Sequence, residues 1–164
     1  MKNLEKIPVE NQVYVDESGI DQFIHRPFAR APIGKKILGM ISGKRYYRES
    51  FVAAKIKSKI IAPFCYNGTC DTTLFNIWIE KFLIPELKPG QVIIMDNASF
   101  HKSQKTKELL ESVGCTILFL PPYSPDLNPI EIFWANFKKL VQKNLMRFKK
   151  LSHAIDKSFL ICTS

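Results

Sequence analysis

No stretch of this 164-residue chain approaches 18 consecutive apolar residues, and its opening, MKNLEKIPVENQ, has no apolar run of the kind a secretory leader needs. A membrane partner is therefore not expected, and neither is export. The four cysteines, Cys65, Cys70, Cys115 and Cys162, form no CxxC pair and have no histidine at zinc-ligand spacing. This argues against a zinc centre or a disulfide framework and predicts reduced thiols in a cytosolic protein. No internal repeat, low-complexity tract or linker divides the chain, so a single globular domain is expected. Acidic residues are missing from long stretches. Arg26 to Lys59 holds ten basic residues against Glu49 alone, and Lys138 to Lys150 holds six basic residues and no acid.

What is present is a chain of 46% hydrophobic residues with twelve Phe, far from the profile of a disordered segment. Its 24 Lys and Arg against 15 Asp and Glu give a net charge of +9. One-signed basic stretches suit a polyanion, because neutralised phosphates release counterions; a solvated surface that keeps the protein soluble is the plainer alternative.

Gln12-Val13-Tyr14-Val15-Asp16 reads as a short strand, with further strands over 37–42 and 46–56 and an apolar segment over 60–65. Asn67-Gly68 marks a turn. The apolar period then becomes helical: Leu74, Ile77, Trp78 and Phe82 share a face, with Asp71 or Thr72 as N-cap. Val92-Ile93-Ile94-Met95 has the look of a strand buried on both faces. A helix over 102–112 ending at Gly114, a strand over 116–120, the rigid Pro121-Pro122-Tyr123-Ser124-Pro125 loop and a helix over 129–149 complete the chain. The expected architecture is α/β, a mixed five-stranded sheet flanked by helices, its later strands parallel and joined by right-handed crossovers.

Three carboxylates fall where such a sheet gathers them. Asp16 ends the Val-Tyr-Val run, Asp96 directly follows Val-Ile-Ile-Met, and Glu131 sits in the first turn of the last helix. Ligands of open α/β sheets bind beyond the carboxyl ends of strands, so Asp16 and Asp96 meet if the first and fourth strands are neighbours. Each also has a plainer reading. Asp16-Glu17-Ser18-Gly19 fits turn chemistry, Asp96-Asn97 fits a turn into a helix, and Asn128-Pro129-Ile130-Glu131 fits a capping box that ties Glu131 to the Asn128 amide. Phosphodiester transfer would use all three. In-line displacement places charge on the attacking and leaving oxygens, which two Mg²⁺ ions held by carboxylates stabilise together.

Three blocks, Tyr14-Val15-Asp16-Glu17-Ser18-Gly19, Met95-Asp96-Asn97-Ala98-Ser99-Phe100-His101-Lys102-Ser103 and Leu120-Pro121-Pro122-Tyr123-Ser124-Pro125-Asp126-Leu127-Asn128-Pro129-Ile130-Glu131, resemble the signature blocks of mariner-superfamily transposases. The bacterial insertion-sequence branch, the DDE superfamily endonucleases, is the closer likeness. The 34 residues between Asp96 and Glu131 agree with it, as do Gly68, Phe75-Asn76-Ile77-Trp78 and Trp134-Ala135-Asn136-Phe137-Lys138. The resemblance covers roughly 13–145.

It implies a ribonuclease H-like catalytic domain over 1–164 and a catalytic, metal-binding triad of Asp16, Asp96 and Glu131. Two Mg²⁺ ions, replaceable by Mn²⁺, would serve cleavage of DNA at element ends and transfer of the freed 3′-hydroxyl into target DNA, typically at TA dinucleotides. Asn97, His101 and Asn128 are candidates for supporting that triad, although a plain surface or helix-start histidine is the favoured reading of His101. Arg45, Arg48, Lys138, Lys139, Lys143 and Arg147 are candidate phosphate contacts. Relatives carry N-terminal helix-turn-helix modules, which are expected to be absent here, where only about a dozen residues precede the first strand, and they usually continue the last helical segment. The expected partners are thus double-stranded DNA (element ends and target) and an N-terminal DNA-binding partner or frameshift fusion, with a homodimer left open. The expected location is the bacterial cytoplasm, at the nucleoid. The competing readings are a catalytically idle DNA-binding remnant and a host nuclease of the same fold.

Overall fold

Val13 and Val15 are fully buried on one face of the first strand, while Tyr14 and Ile20 pack into a separate cluster on the other. That period-2 alternation makes the strand the divider of two cores. The computed structural model describes residues 4–21, 48–122, 127–148 and 150–163. Within them lie β1 (Gln12–Asp21), β2 (Arg48–Ile56), β3 (Lys59–Asn67), α1 (Thr72–Trp78), β4 (Val92–Met95), α2 (Gln104–Ser112), β5 (Thr116–Phe119), α3 (Ile130–Leu145) and α4 (Leu151–Thr163). The strands form one sheet in the order β3-β2-β1-β4-β5. β2 is antiparallel to both β1 and β3, and β4 is parallel to both β1 and β5. The mixed five-stranded sheet, with its later strands parallel, is as the sequence predicts.

The first core lies under α1 and α2, where Phe75, Trp78, Ile79, Leu83 and Leu110 cover Val13, Val15, Ile93 and Met95. The second joins α3 and α4 to the opposite face, with Trp134, Phe137, Val141 and Phe159 against Phe51 and Ala53 of β2. Phe51 is the hub there, its ring centroid 5.0 Å from Trp134 and 5.3 Å from Phe137. Centroid spacings in this range are those of favourable tilted and edge-to-face pairs. α3 and α4 are further tied by Asn144 Nδ2 donating to Ser158 Oγ at 2.8 Å, a buried bond.

Several expectations shift. The strand expected over 37–42 lies outside the described residues. β1 runs on to Asp21, so Asp16 is a mid-strand residue opposite Ala53, not the end of a strand. The helical face expected at Leu74, Ile77, Trp78 and Phe82 is rotated: Ile77 and Phe82 are largely exposed, while Phe75, Trp78, Ile79 and Leu83 are buried. The π-helical turn over Ile79–Leu83, with its wider i→i+5 spacing, moves the buried position from Phe82 to Leu83, whereas Ile77 precedes it and lies off the stripe of Phe75, Trp78 and Ile79. The helix expected from 102 begins as a 3₁₀ turn, Ser99–Lys102, before α2, and Gly114, at φ +73°, follows the helix end as anticipated. The helix expected to reach 149 ends at Leu145, and α4 was not anticipated as an element of its own.

β3 also carries a bulge. Val52 pairs with Phe64 and Ala54 with Ile61, so Ala62 and Pro63 both oppose Ala53. Ala62 adopts φ +50°, and its carbonyl, turned out of the ladder, accepts from Trp78 Nε1 at 2.8 Å.

Candidate active site

β1 and β4 are paired in parallel through Gln12–Val92, Val13–Ile93 and Tyr14–Ile94. Two steps further along that register, Asp16 falls beside Asp96, one residue past the end of β4. The adjacency that the sequence left conditional is therefore met. By alternation Asp16 shares the Tyr14 face, toward α3, whose first turn carries Glu131.

Asp16 is only 8% exposed, and its Oδ2 has no hydrogen-bond partner among the described residues. Burial, reinforced by the neighbouring charges of Glu17, Glu131 and Asp96, pushes its pKa up to about 8, although the Glu17 backbone amide offsets part of the rise. A buried carboxyl surrounded by carboxylates and short of donors has the electrostatics of a cation site. The donor chemistry also fits Mg²⁺, which prefers oxygen ligands. The set is not gathered into a finished cage, however. Among the described residues no three His, Cys, Asp or Glu side chains lie close enough to hold a metal ion. Glu131 is exposed, and the capping box that was its plainer reading is not formed: among the described residues its carboxylate does not bond back to the Asn128 amide. Asn128 is instead buried, its Oδ1 reached by the Ile130 amide at 3.4 Å and its carbonyl by the Glu131 amide at 3.1 Å.

His101 is not the surface histidine that the sequence favoured. It is 1% exposed, and its two ring nitrogens face two carboxylates: Nδ1 lies 2.8 Å from Asp96 Oδ1 and Nε2 lies 2.9 Å from Glu17 Oε1. Burial works against a charged ring, but the bonds to Asp96 and Glu17 outweigh it and hold its pKa up at about 9. A neutral ring would aim one lone pair at a carboxylate, whereas the imidazolium donates to both. The same bond from His101, helped by the Ala98 amide at 3.0 Å, holds the Asp96 pKa below the ordinary carboxylate value.

The segment bearing His101 is anchored from below. Ser103 caps α2 through the Thr106 amide at 3.0 Å, while Asn76 of α1 donates to Ser103 Oγ at 3.3 Å and accepts from Thr106 Oγ1 at 2.8 Å. The imidazole also packs on Phe75 and Phe100, with centroids 4.4 and 4.3 Å away. Glu17 and Asn76 are the supporting residues that the sequence reading missed. The signal for Glu17 was strand alternation, which turns the neighbour of Asp16 toward the opposite core.

Asp16, Glu17 and Asp96 open onto a cleft of about 1070 Å³ that Arg48 and Phe100 also line. Arg48 spans β1 above Gly19, where an added Cβ would stand 2.8 Å from its guanidinium, and pairs with Asp21 at 3.9 Å. Asn97 is exposed directly after Asp96, and Arg45 lies outside the described residues. The basic candidates at this end of the chain divide. At about 100° per residue, Lys138 lies on the Glu131 side of α3, Lys139 and Lys143 turn progressively away from it, and Arg147 follows the helix end.

Residues 11–153 match the family described as DDE superfamily endonuclease. The chain belongs to that family. Among sequence relatives, this DDE superfamily endonuclease domain is 26% identical over 105 residues to the Tc3 transposase of Caenorhabditis elegans, covering 64% of the chain and 29% of that protein. Among solved structures, it matches the Mos1 strand transfer complex with a TM-score of 0.65 at 16% identity, over 99% of this chain and 56% of that one. It matches the catalytic core of BIV integrase with a TM-score of 0.57 at 10% identity, over 91% and 80% of the two chains. The mariner-type resemblance of the three blocks and the ribonuclease H-like fold therefore stand. The chain spans under a third of the Tc3 transposase and little more than half of the Mos1 chain. No helix among the described residues is long and apolar enough to cross a membrane.

Proposed function

We propose that this domain performs the DNA cleavage and strand transfer of a mariner-type transposase. The observation that carries the reading is the pairing of Asp16, buried and short of donors, with Asp96 across β1 and β4, Glu131 facing them from α3. Asp16 and Asp96 would hold divalent metal, with Glu131 completing the set as its exposed side chain turns toward Asp16. Solved structures of the same fold include Mos1 paired-end complexes with Mg and with Mn, which supports Mg²⁺ with Mn²⁺ as substitute. When bound, the metal would stabilise charge on the attacking and leaving oxygens of the phosphodiester.

The chain's own groups set the rest. Asp96 keeps Oδ1 on His101 and the Ala98 amide, which leaves Oδ2 for the metal. His101 cannot take a proton from water, because both its nitrogens are already engaged. Arg48 in the cleft and Lys138, two turns along α3 on the Glu131 side, are placed to meet backbone phosphates, and Lys139 and Lys143, with Arg147 past the helix end, offer further basic groups to DNA. An N-terminal end-recognising partner or fusion, and a second copy of the chain, belong to this proposal as well.

Nicking of supercoiled DNA in Mg²⁺ or Mn²⁺, abolished by Asp96→Asn, is the expected result. Equal nicking by wild type and variant refutes the assignment, and an absence of carboxylate-dependent Mn²⁺ binding in calorimetry leaves the DNA-binding remnant as the better reading.

A further inference from the structure

The structure assigns Glu17 as a positioning residue that acts through His101 to fix the Asp96 carboxylate. The inference rests on the reading of Asp96 as a metal ligand, but its geometry is independent of that reading. Asp96 follows a four-residue strand and, among the described residues, its carboxylate is otherwise held by the Ala98 amide alone, in an exposed connection. A carboxylate so placed has several rotamers, and ordering it costs side-chain entropy. His101 removes that freedom if the imidazole itself cannot turn.

Two features hold the ring. Phe75 and Phe100 pack against it, which limits its tilt. Glu17 then fixes its rotation about the ring axis by occupying Nε2 at 2.9 Å, so that Nδ1 is aimed at Asp96 Oδ1. Among the described residues His101 is the ion-pair partner of Glu17, whose side chain is 16% exposed at the edge of the cleft. Glu17 lies in the middle of β1, opposite Val52 of β2, so the chain of contacts runs from the central strand of the sheet to an acid on the connection after β4. A carboxylate behind a histidine behind a ligand follows the logic by which outer groups orient the groups that touch a metal. Here the ligand is itself a carboxylate and the histidine lies one step back.

The test uses the whole chain, first without metal. The ¹³C signal of the Asp96 carboxyl, assigned through Asp96→Asn, is expected to move in Glu17→Ala toward the position of a freely rotating aspartate. Glu17→Gln, which keeps an acceptor oxygen for Nε2, should leave it near the wild-type position. Where Glu17→Ala does not fold by circular dichroism, Glu17→Asp draws the carboxylate back by one methylene and should move the signal likewise. An Asp96 signal unchanged by the folded Ala or Asp variant overturns the proposal.

Mn²⁺ titration is the second readout. Loss of Glu17 should weaken binding roughly 10–100-fold in a variant that remains folded at the temperature of the titration. The double variant Glu17→Ala/His101→Ala should bind no more weakly than His101→Ala alone, and additive losses overturn action through His101. If wild type binds no Mn²⁺, the metal reading falls, while the metal-free Asp96 signal still decides the link between Glu17 and Asp96.

Discussion

Asp16 and His101 make the metal-free protein sensitive to alkali, and their signs agree. The Asp16 carboxyl titrates near 3.8 when unfolded and near 8 in the fold, so the native state keeps a proton that the unfolded chain gives up. Its favourable contribution is complete below 3.8 and is lost as pH rises through 8. For His101 the values are 6.5 and about 9, so its contribution is complete below 6.5 and gone above 9. Asp96, with its pKa lowered, acts oppositely in the acid range: its contribution is present above 3.8 and is lost as pH falls further. Urea unfolding in EDTA should therefore show stability declining from about pH 3.8 to pH 9, through Asp16 alone at first and with His101 adding to the fall above 6.5. Asp16→Asn should flatten that decline and stabilise the fold by about 1–2 kcal/mol above pH 8, with no gain near pH 3. A steeper decline in Asp16→Asn than in wild type contradicts the assigned burial and repulsion. At this scale the sequence showed which acids to watch, because a carboxylate beside a buried apolar run needs a reason. It could not show the partner of His101, since 84 residues separate Glu17 from His101 and only folding brings their side chains to 2.9 Å.

The attachment of α4 to α3 rests on apolar packing around Phe51 and Phe159 and on one buried polar link. Ser158 Oγ accepts from Asn144 Nδ2 and donates to the Ala154 carbonyl, so a single hydroxyl serves both helices. Ser158→Ala leaves the Asn144 amide buried without that partner and should cost about 1–3 kcal/mol, read as a fall in the urea midpoint. Adding Asn144→Leu should recover a good part of the loss, because replacing both partners by apolar groups removes the unpaired amide. A double variant less stable than Ser158→Ala alone would count against the bond as the cause. Elements with a strong single period, β4 and α3, were legible because burial on two faces or along one stripe writes itself into residue order. α1 was legible in position but only partly in facing: Phe75, Trp78 and Ile79 carry its buried stripe, and the π-helical turn that follows moves the continuation from Phe82 to Leu83 without any glycine or proline to announce it. α4 escaped notice because Leu160 and Ile161 are apolar yet exposed, which blurs the stripe formed by Leu151, Ala154, Ile155 and Phe159.

Over the whole molecule, a net charge of +9 predicts DNA affinity that falls steeply with salt, each phosphate contact contributing about one unit to the slope of log K against log salt. The division of α3 into two sides gives that slope a spatial test. Lys138→Ala and Lys143→Ala should each lower it by roughly 1, but only Lys138→Ala, on the Glu131 side, should slow nicking at saturating DNA. Equal slowing by both variants would mean that DNA does not distinguish the two sides of the helix. The bulge in β3 has a consequence at the same scale. Among the described residues β3 is an outermost strand, and an ordinary strand in that place offers a free row of amides and carbonyls onto which another molecule can zip. Here Ala62 takes a left-handed backbone, Trp78 claims its carbonyl, and Pro63 has no amide hydrogen to give. The rim is thus broken as a template, and the domain is guarded along that border against stacking into fibrous aggregates.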